Sequence, residues 1–98
     1  MTKEQQELYD KFVDFAMSDP DWKKWQEHMV IEELSELISA ISHYRRGKIP
    51  VEELVSEIAD VENMLGQIKA LHNITEEEVG DERIRKVQRT INKHKLEL

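Results

Sequence analysis

Two acidic pairs stand in apolar helical text, Glu33-Leu34-Ser35-Glu36 and Glu57-Ile58-Ala59-Asp60, separated by residues 37–56. Residues three apart share a helix face, so each pair can point two carboxylates into one space. The punctuation Arg45-Arg46-Gly47-Lys48-Ile49-Pro50 lies between them. The stretch therefore reads as two antiparallel helices that bring Glu33, Glu36, Glu57 and Asp60 together. Four carboxylates with no balancing side-chain charge nearby need a cation. Oxygen-only ligands suit Mg²⁺, or Mn²⁺ in its place, rather than zinc or copper.

Helical geometry sharpens this reading. The helix after Pro50 carries a broad apolar arc, with Leu54, Leu65, Ile58, Val51 and Val55 on one side and Val61, Ile68, Met64 and Leu71 on the other. Glu57 falls inside that arc, roughly 20° from Met64 and Ile68 at 100° per residue. Asp60 lies at its edge. A solvated carboxylate belongs opposite such a stripe, and an acid buried among apolar groups is usually paired, protonated or bound to metal. The preceding helix has an expected core stripe of Ile31, Leu34, Leu37, Ile38 and Ile41, with Glu33 flanking it and Glu36 further round. The acid-x-x-acid pattern also occurs at Glu4/Glu7, Glu7/Asp10 and Glu78/Asp81. Those pairs read as wet helix faces.

The elements that position these residues follow in order. Residues 3–17 form a first helix, with Leu8, Phe12, Phe15 and Ala16 on one side. Asp19 as N-cap and Pro20 at the first helical position open a second, which runs to about Arg46 and stops at Gly47. Trp22 and Trp25 in its first turns either cap the bundle or offer a stacking platform for a flat base. The third helix starts at Pro50 and ends near His72-Asn73. Thr75-Glu76-Glu77-Glu78 is a capping box for a fourth, in which Gly80 predicts a kink or a restart at Asp81. Arg83, Arg85, Lys86, Arg89, Lys93 and Lys95 gather most of the positive charge there, beside a thin stripe of Ile84, Val87 and Ile91. Lys86 and Arg89, three apart, either are solvated or reach phosphate oxygens.

The fold class is thus all-α, an antiparallel four-helix bundle in a single domain spanning residues 1–98. The apolar arc of the third helix is wider than one small bundle needs, so part of it is expected to face a second subunit, in a homodimer or a dimer of dimers.

Composition sets aside other classes. A net charge of −7 argues against a nucleic-acid surface, yet is compatible with a phosphate ligand bridged by metal. With no cysteine, disulfides and thiolate sites are impossible, which fits a cytoplasmic location. No apolar run is long enough to span a membrane, and the first seven residues do not read as a signal peptide. No Glu-x-x-His, His-Glu-x-x-His or glycine-rich phosphate loop is present. His28, His43, His72 and His94 are scattered surface residues in this reading. Metal-assisted hydrolysis is the chemistry that remains.

The text from Glu32 to Ile41, then Glu57 to Leu65, resembles the MazG-like nucleotide pyrophosphohydrolases of the all-α NTP pyrophosphatase superfamily, whose signature is E-x-x-E, a spacer, then E-x-x-D. The likeness covers roughly residues 20–95 and includes Trp25-Gln26 and Lys86-Val87-Gln88-Arg89. It implies Mg²⁺-dependent hydrolysis of a nucleoside triphosphate to the monophosphate and pyrophosphate, as house-cleaning of nucleotide pools. It further implies that Glu33, Glu36, Glu57 and Asp60 are the metal ligands and that one of them, or a carboxylate beside them, activates water. Lys86 and Arg89 would steady the pyrophosphate. Asn63, with Gln26 or Trp25, would hold base or sugar. Two other activities fit the same bundle: hydrolysis of phosphoribosyl-ATP, and nucleotide or partner binding without turnover. A plain acidic structural bundle is the third alternative.

Overall fold

Each helix boundary has a local chemical cause. In the computed structural model, which describes residues 1–98, α1 spans Lys3–Ser18, α2 Pro20–Arg45, α3 Val51–Leu71 and α4 Glu76–His94. The chain is all-helical, with no strand. Thr2 and Gln5 form a capping box at α1. Asp19 caps α2, its carboxylate accepting from the Asp21 N–H at 3.0 Å. Thr75 and Glu78 cap α4 as the sequence predicts. Gly47 takes φ +71°, the left-handed conformation that turns the chain after α2. Two boundary expectations change. Pro50 is the N-cap of α3, which begins at Val51. Gly80 lies inside an unbroken α4, because its penalty of about 1 kcal/mol is outweighed by the strong helix formers and the capping box around it.

α2 and α3 form the antiparallel hairpin that carries the acidic residues. Trp22 Nε1–H donates to Gln67 Oε1 at 2.8 Å, Gln26 Nε2–H approaches Met64 Sδ at 3.9 Å, and His72 Nε2 lies 2.9 Å from Glu27 Oε1. In the first two contacts the numbers rise along α2 as they fall along α3, the antiparallel register, and the third ties the cap residue beyond α3 to the first turns of α2. The side of α2 that meets α3 holds Gln26, Val30, Glu33, Leu37 and Ala40, all buried or half-buried. Its counterpart on α3 is Leu54, Glu57, Val61, Met64 and Ile68. Both lines alternate steps of three and four, the spacing of a helix–helix seam. α1 packs across one end, burying Ala16 and setting Phe12 and Phe15 edge-on to Trp22, with ring centroids 5.7 and 5.8 Å apart.

The seam corrects the expected stripe of α2. Ile31 is 61% and Ile38 69% exposed, and Leu34 and Ile41 are exposed too. α2 is apolar on two faces, and the one that carries Gln26 and Glu33 is the one that meets α3. On α1, Leu8 and Phe15 are likewise exposed rather than buried. The broad arc of α3 divides: Val61 is buried and Met64, Ile68 and Leu71 half-buried, whereas Val51, Val55, Ile58 and Leu65 are exposed.

α4 stands apart from the other three helices. It buries no residue, and its first turn is tied to α3 by the Lys69–Glu76 ion pair at 2.8 Å. The radius of gyration is 16.5 Å, against about 13 Å for a compact domain of this length. The chain exposes 8006 Å², against about 5,800 Å² for a compact monomer of this mass. No helix is long and apolar enough to cross a membrane.

Candidate metal centre

The seam brings Glu33 of α2 and Glu57 of α3 to the same level, and Glu36 lies one turn beyond Glu33. One carboxylate oxygen from each of the three lies within 4.8 Å of the others. Glu33 and Glu57 are half-buried and Glu36 is exposed. Glu33 Oε2 and Glu57 Oε2 are shut off from solvent and have no hydrogen-bond partner. Buried polar atoms are ordinarily satisfied; these two share the exception with Gln26 Oε1 and Gln67 Nε2.

The electrostatics agree. Burial is the main cause that pushes the Glu33 carboxyl above its ordinary value, followed by the charges of Glu36, Asp60, Glu57 and Glu32. Burial likewise raises Glu57, with Glu36 and Asp60 adding repulsion, Glu36 close enough to share a proton, and Glu53 contributing. The largest charges acting on the two groups are all carboxylates. Like charges gathered this way favour proton uptake or a cation. The donor set is all oxygen, which fits Mg²⁺ or Mn²⁺.

Asp60 is exposed and lies outside the 4.8 Å group, although its charge reaches both Glu33 and Glu57. Beside Glu36 and Glu57 opens a cavity of about 470 Å³ toward the α2–α3 turn, lined also by Ser39, His43, Glu53 and Ser56. Sequence reasoning missed these lining residues. Their signal was spacing: Glu53 stands one turn before Glu57, and His43 two turns after Glu36.

No protein-family model, curated protein or solved structure matches this chain.

The remaining residues singled out in the sequence are spread more widely. Trp25 is 56% exposed on the outside of α2, with Lys24 Nζ 5.5 Å from its ring centroid and His28 packed edge-on. Trp22 is half-buried and bonded to Gln67, so only Trp25 is open for stacking. Gln26 is fully buried in the seam, its Oε1 without a partner. Asn63 is exposed and lines a separate cleft between α1, α3 and α4. Lys86 and Arg89 are exposed on α4 and make no ion pair.

Proposed function

We propose that the chain is a Mg²⁺-dependent nucleoside triphosphate pyrophosphohydrolase of the MazG-like kind, converting a (d)NTP and water to the monophosphate and pyrophosphate. The observation that carries this reading is the pair Glu33 and Glu57, facing each other across the seam with one solvent-inaccessible, unpartnered oxygen each and Glu36 beside them. Two half-buried acids set opposite each other are costly without a counter-ion. The motif that places them is the one that resembles the family.

Glu33, Glu36 and Glu57 would hold the ion, with Asp60 adding negative charge from the next turn of α3. A divalent ion there would neutralise phosphate charge and acidify water. Glu53, which lines the same cavity, would take the proton of an attacking water. Trp25 lies eight residues before Glu33, about 12 Å along the helix axis, a span suited to a base stacked at one end and phosphates at the other. Lys86 and Arg89 would contact phosphate oxygens. Because α4 stands away from the seam, they would do so only when α4 approaches it or from a second copy. A second copy would also cover the bare apolar face of α2 and α3.

Pyrophosphate release over a panel of nucleotides with Mg²⁺ tests the reading. Turnover of at least one triphosphate, abolished in Glu57→Gln, is expected. A panel with no turnover, or a Glu57→Gln protein as active as the parent, would rule it out.

A further inference from the structure

α2 carries a better apolar stripe than the one it turns toward α3. At about 100° per residue, rotating α2 by one residue would replace Val30, Glu33, Leu37 and Ala40 of the seam with Ile31, Leu34, Ile38 and Ile41. The Val30, Glu33 and Ala40 positions would each gain apolar surface, and the two facing acids would part. Yet Ile31, Leu34, Ile38 and Ile41 are the residues left exposed. Apolar burial is non-directional, so on its own it favours the face that lies outside. Something directional holds the other face in.

That something lies in the first turns of α2, where Trp22 and Gln26 share the side of the helix that carries Glu33. Trp22 Nε1–H donates to Gln67 Oε1 at 2.8 Å, and the same indole meets Phe12 and Phe15 of α1 edge-on. Gln26 and Gln67, 2% and 1% exposed, are the most completely buried side chains of the chain, and Gln26 Nε2–H approaches Met64 Sδ. Rotation by one residue would put Lys23 where Trp22 sits and Glu27 where Gln26 sits. That would push a cation and a carboxylate into the seam, and Gln67 would lose its indole donor.

We infer that Trp22, Gln26 and Gln67 form a rotational lock that sets Glu33 opposite Glu57. They are positioning residues for the acid pair and act through the orientation of α2 about its own axis. Without them α2 would lay its isoleucine stripe on α3, Leu34 would face Glu57, and Glu33 would swing about 100° out of the seam. A hydrogen bond suits this task because it has a preferred direction. A buried polar layer also singles out one pairing among several apolar ones. The lock itself is independent of the proposed chemistry; only the use of the acids it positions rests on that reading.

The chain has no cysteine, so introduced disulfides report the rotation of α2 directly. On mild oxidation Val30→Cys/Val61→Cys should close an intramolecular disulfide and Ile31→Cys/Val61→Cys should not, because the bond needs Cα atoms within about 7 Å and converging Cβ vectors. Exchanging neighbours, Trp22→Lys/Lys23→Trp with Gln26→Glu/Glu27→Gln, moves the lock by one residue without changing composition. In that background the disulfide pattern should invert, and saturable Mn²⁺ binding should be lost as Leu34 replaces Glu33 opposite Glu57. Gln67→Leu alone should allow both disulfides to form, since the indole loses its acceptor. An exchanged chain that keeps the parental pattern, or closes neither disulfide, would overturn the lock, as would an unchanged pattern in Gln67→Leu. Inversion of the pattern in a protein whose parent binds no Mn²⁺ would sink the catalytic reading and leave the lock standing.

Discussion

Glu33 on α2 and Glu57 on α3 face each other across the helix seam, and each keeps one carboxylate oxygen away from both water and any protein donor. The seam positions above and below them are filled by apolar side chains or by Gln26. The two acids thus interrupt an otherwise ordinary helix–helix contact.

That interruption makes stability depend on pH in a defined direction. Both carboxyls bind protons more tightly in the folded chain than their ordinary 4.5, so the folded state holds more protons than the unfolded one over that range. Their contribution is therefore fully favourable below the ordinary value and is lost as pH rises through the raised folded values. Thermal melts of the metal-free protein should show stability falling from about pH 4.5 upward, less steeply in Glu57→Gln. Equal slopes in the two proteins would contradict this.

Replacing the acid with an apolar group of similar size should stabilise the metal-free fold. Glu57→Leu removes a desolvated charge and its repulsion with Glu36 and Asp60, and such replacements are often neutral or stabilising. A higher melting temperature than the parent is expected without metal, measured by calorimetry. A large loss would mean that Glu57 is held by protein contacts alone.

Trp22 and Gln67 should be coupled. The indole N–H can only donate, and it donates to Gln67 Oε1 inside the fold. Gln67→Leu alone strands that donor and should destabilise by about 1–3 kcal/mol. In the Trp22→Phe background the same change should cost markedly less. Urea melts of the four proteins in the cycle give the coupling, and strict additivity would show that the bond contributes nothing.

Gly66 makes room for Tyr9. A Cβ at position 66 would lie within 3.0 Å of the Tyr9 ring carbon Cζ and closer still to its hydroxyl oxygen. Gly66→Ala should displace that ring from α3 and destabilise by about 1–3 kcal/mol. In a Tyr9→Ala background the penalty should vanish, leaving the better helix propensity of alanine. An unchanged penalty there would place the clash elsewhere.

Much of the scaffold was legible in the sequence because its causes are local. Asp19-Pro20, Thr75 with Glu78, and Gly47 fix helix ends through caps and one left-handed residue, and those signals are written in neighbouring positions. The facing of α2 was not legible. Ile31, Leu34, Ile38 and Ile41 make a better apolar stripe than Gln26, Val30, Glu33, Leu37 and Ala40, yet the second line meets α3. Which of two faces turns inward depends on the partner helix and on surfaces beyond a single chain, and periodicity within one helix carries neither. Glu57 was legible because it sat inside an apolar arc. The cavity residues Glu53 and His43 were not, because each looks like an ordinary surface charge until the turn at Gly47 folds α3 back on α2.

Calorimetric titration of Mn²⁺ into the metal-free protein, alongside Glu57→Gln, tests the central claim most directly. The wild-type chain should bind the ion with release of protons, since the metal displaces them from carboxyls of raised proton affinity, and the variant should show no saturable binding. No heat of binding in the wild-type chain, or the same isotherm in both proteins, would mean that the acids of the seam do not form a metal centre.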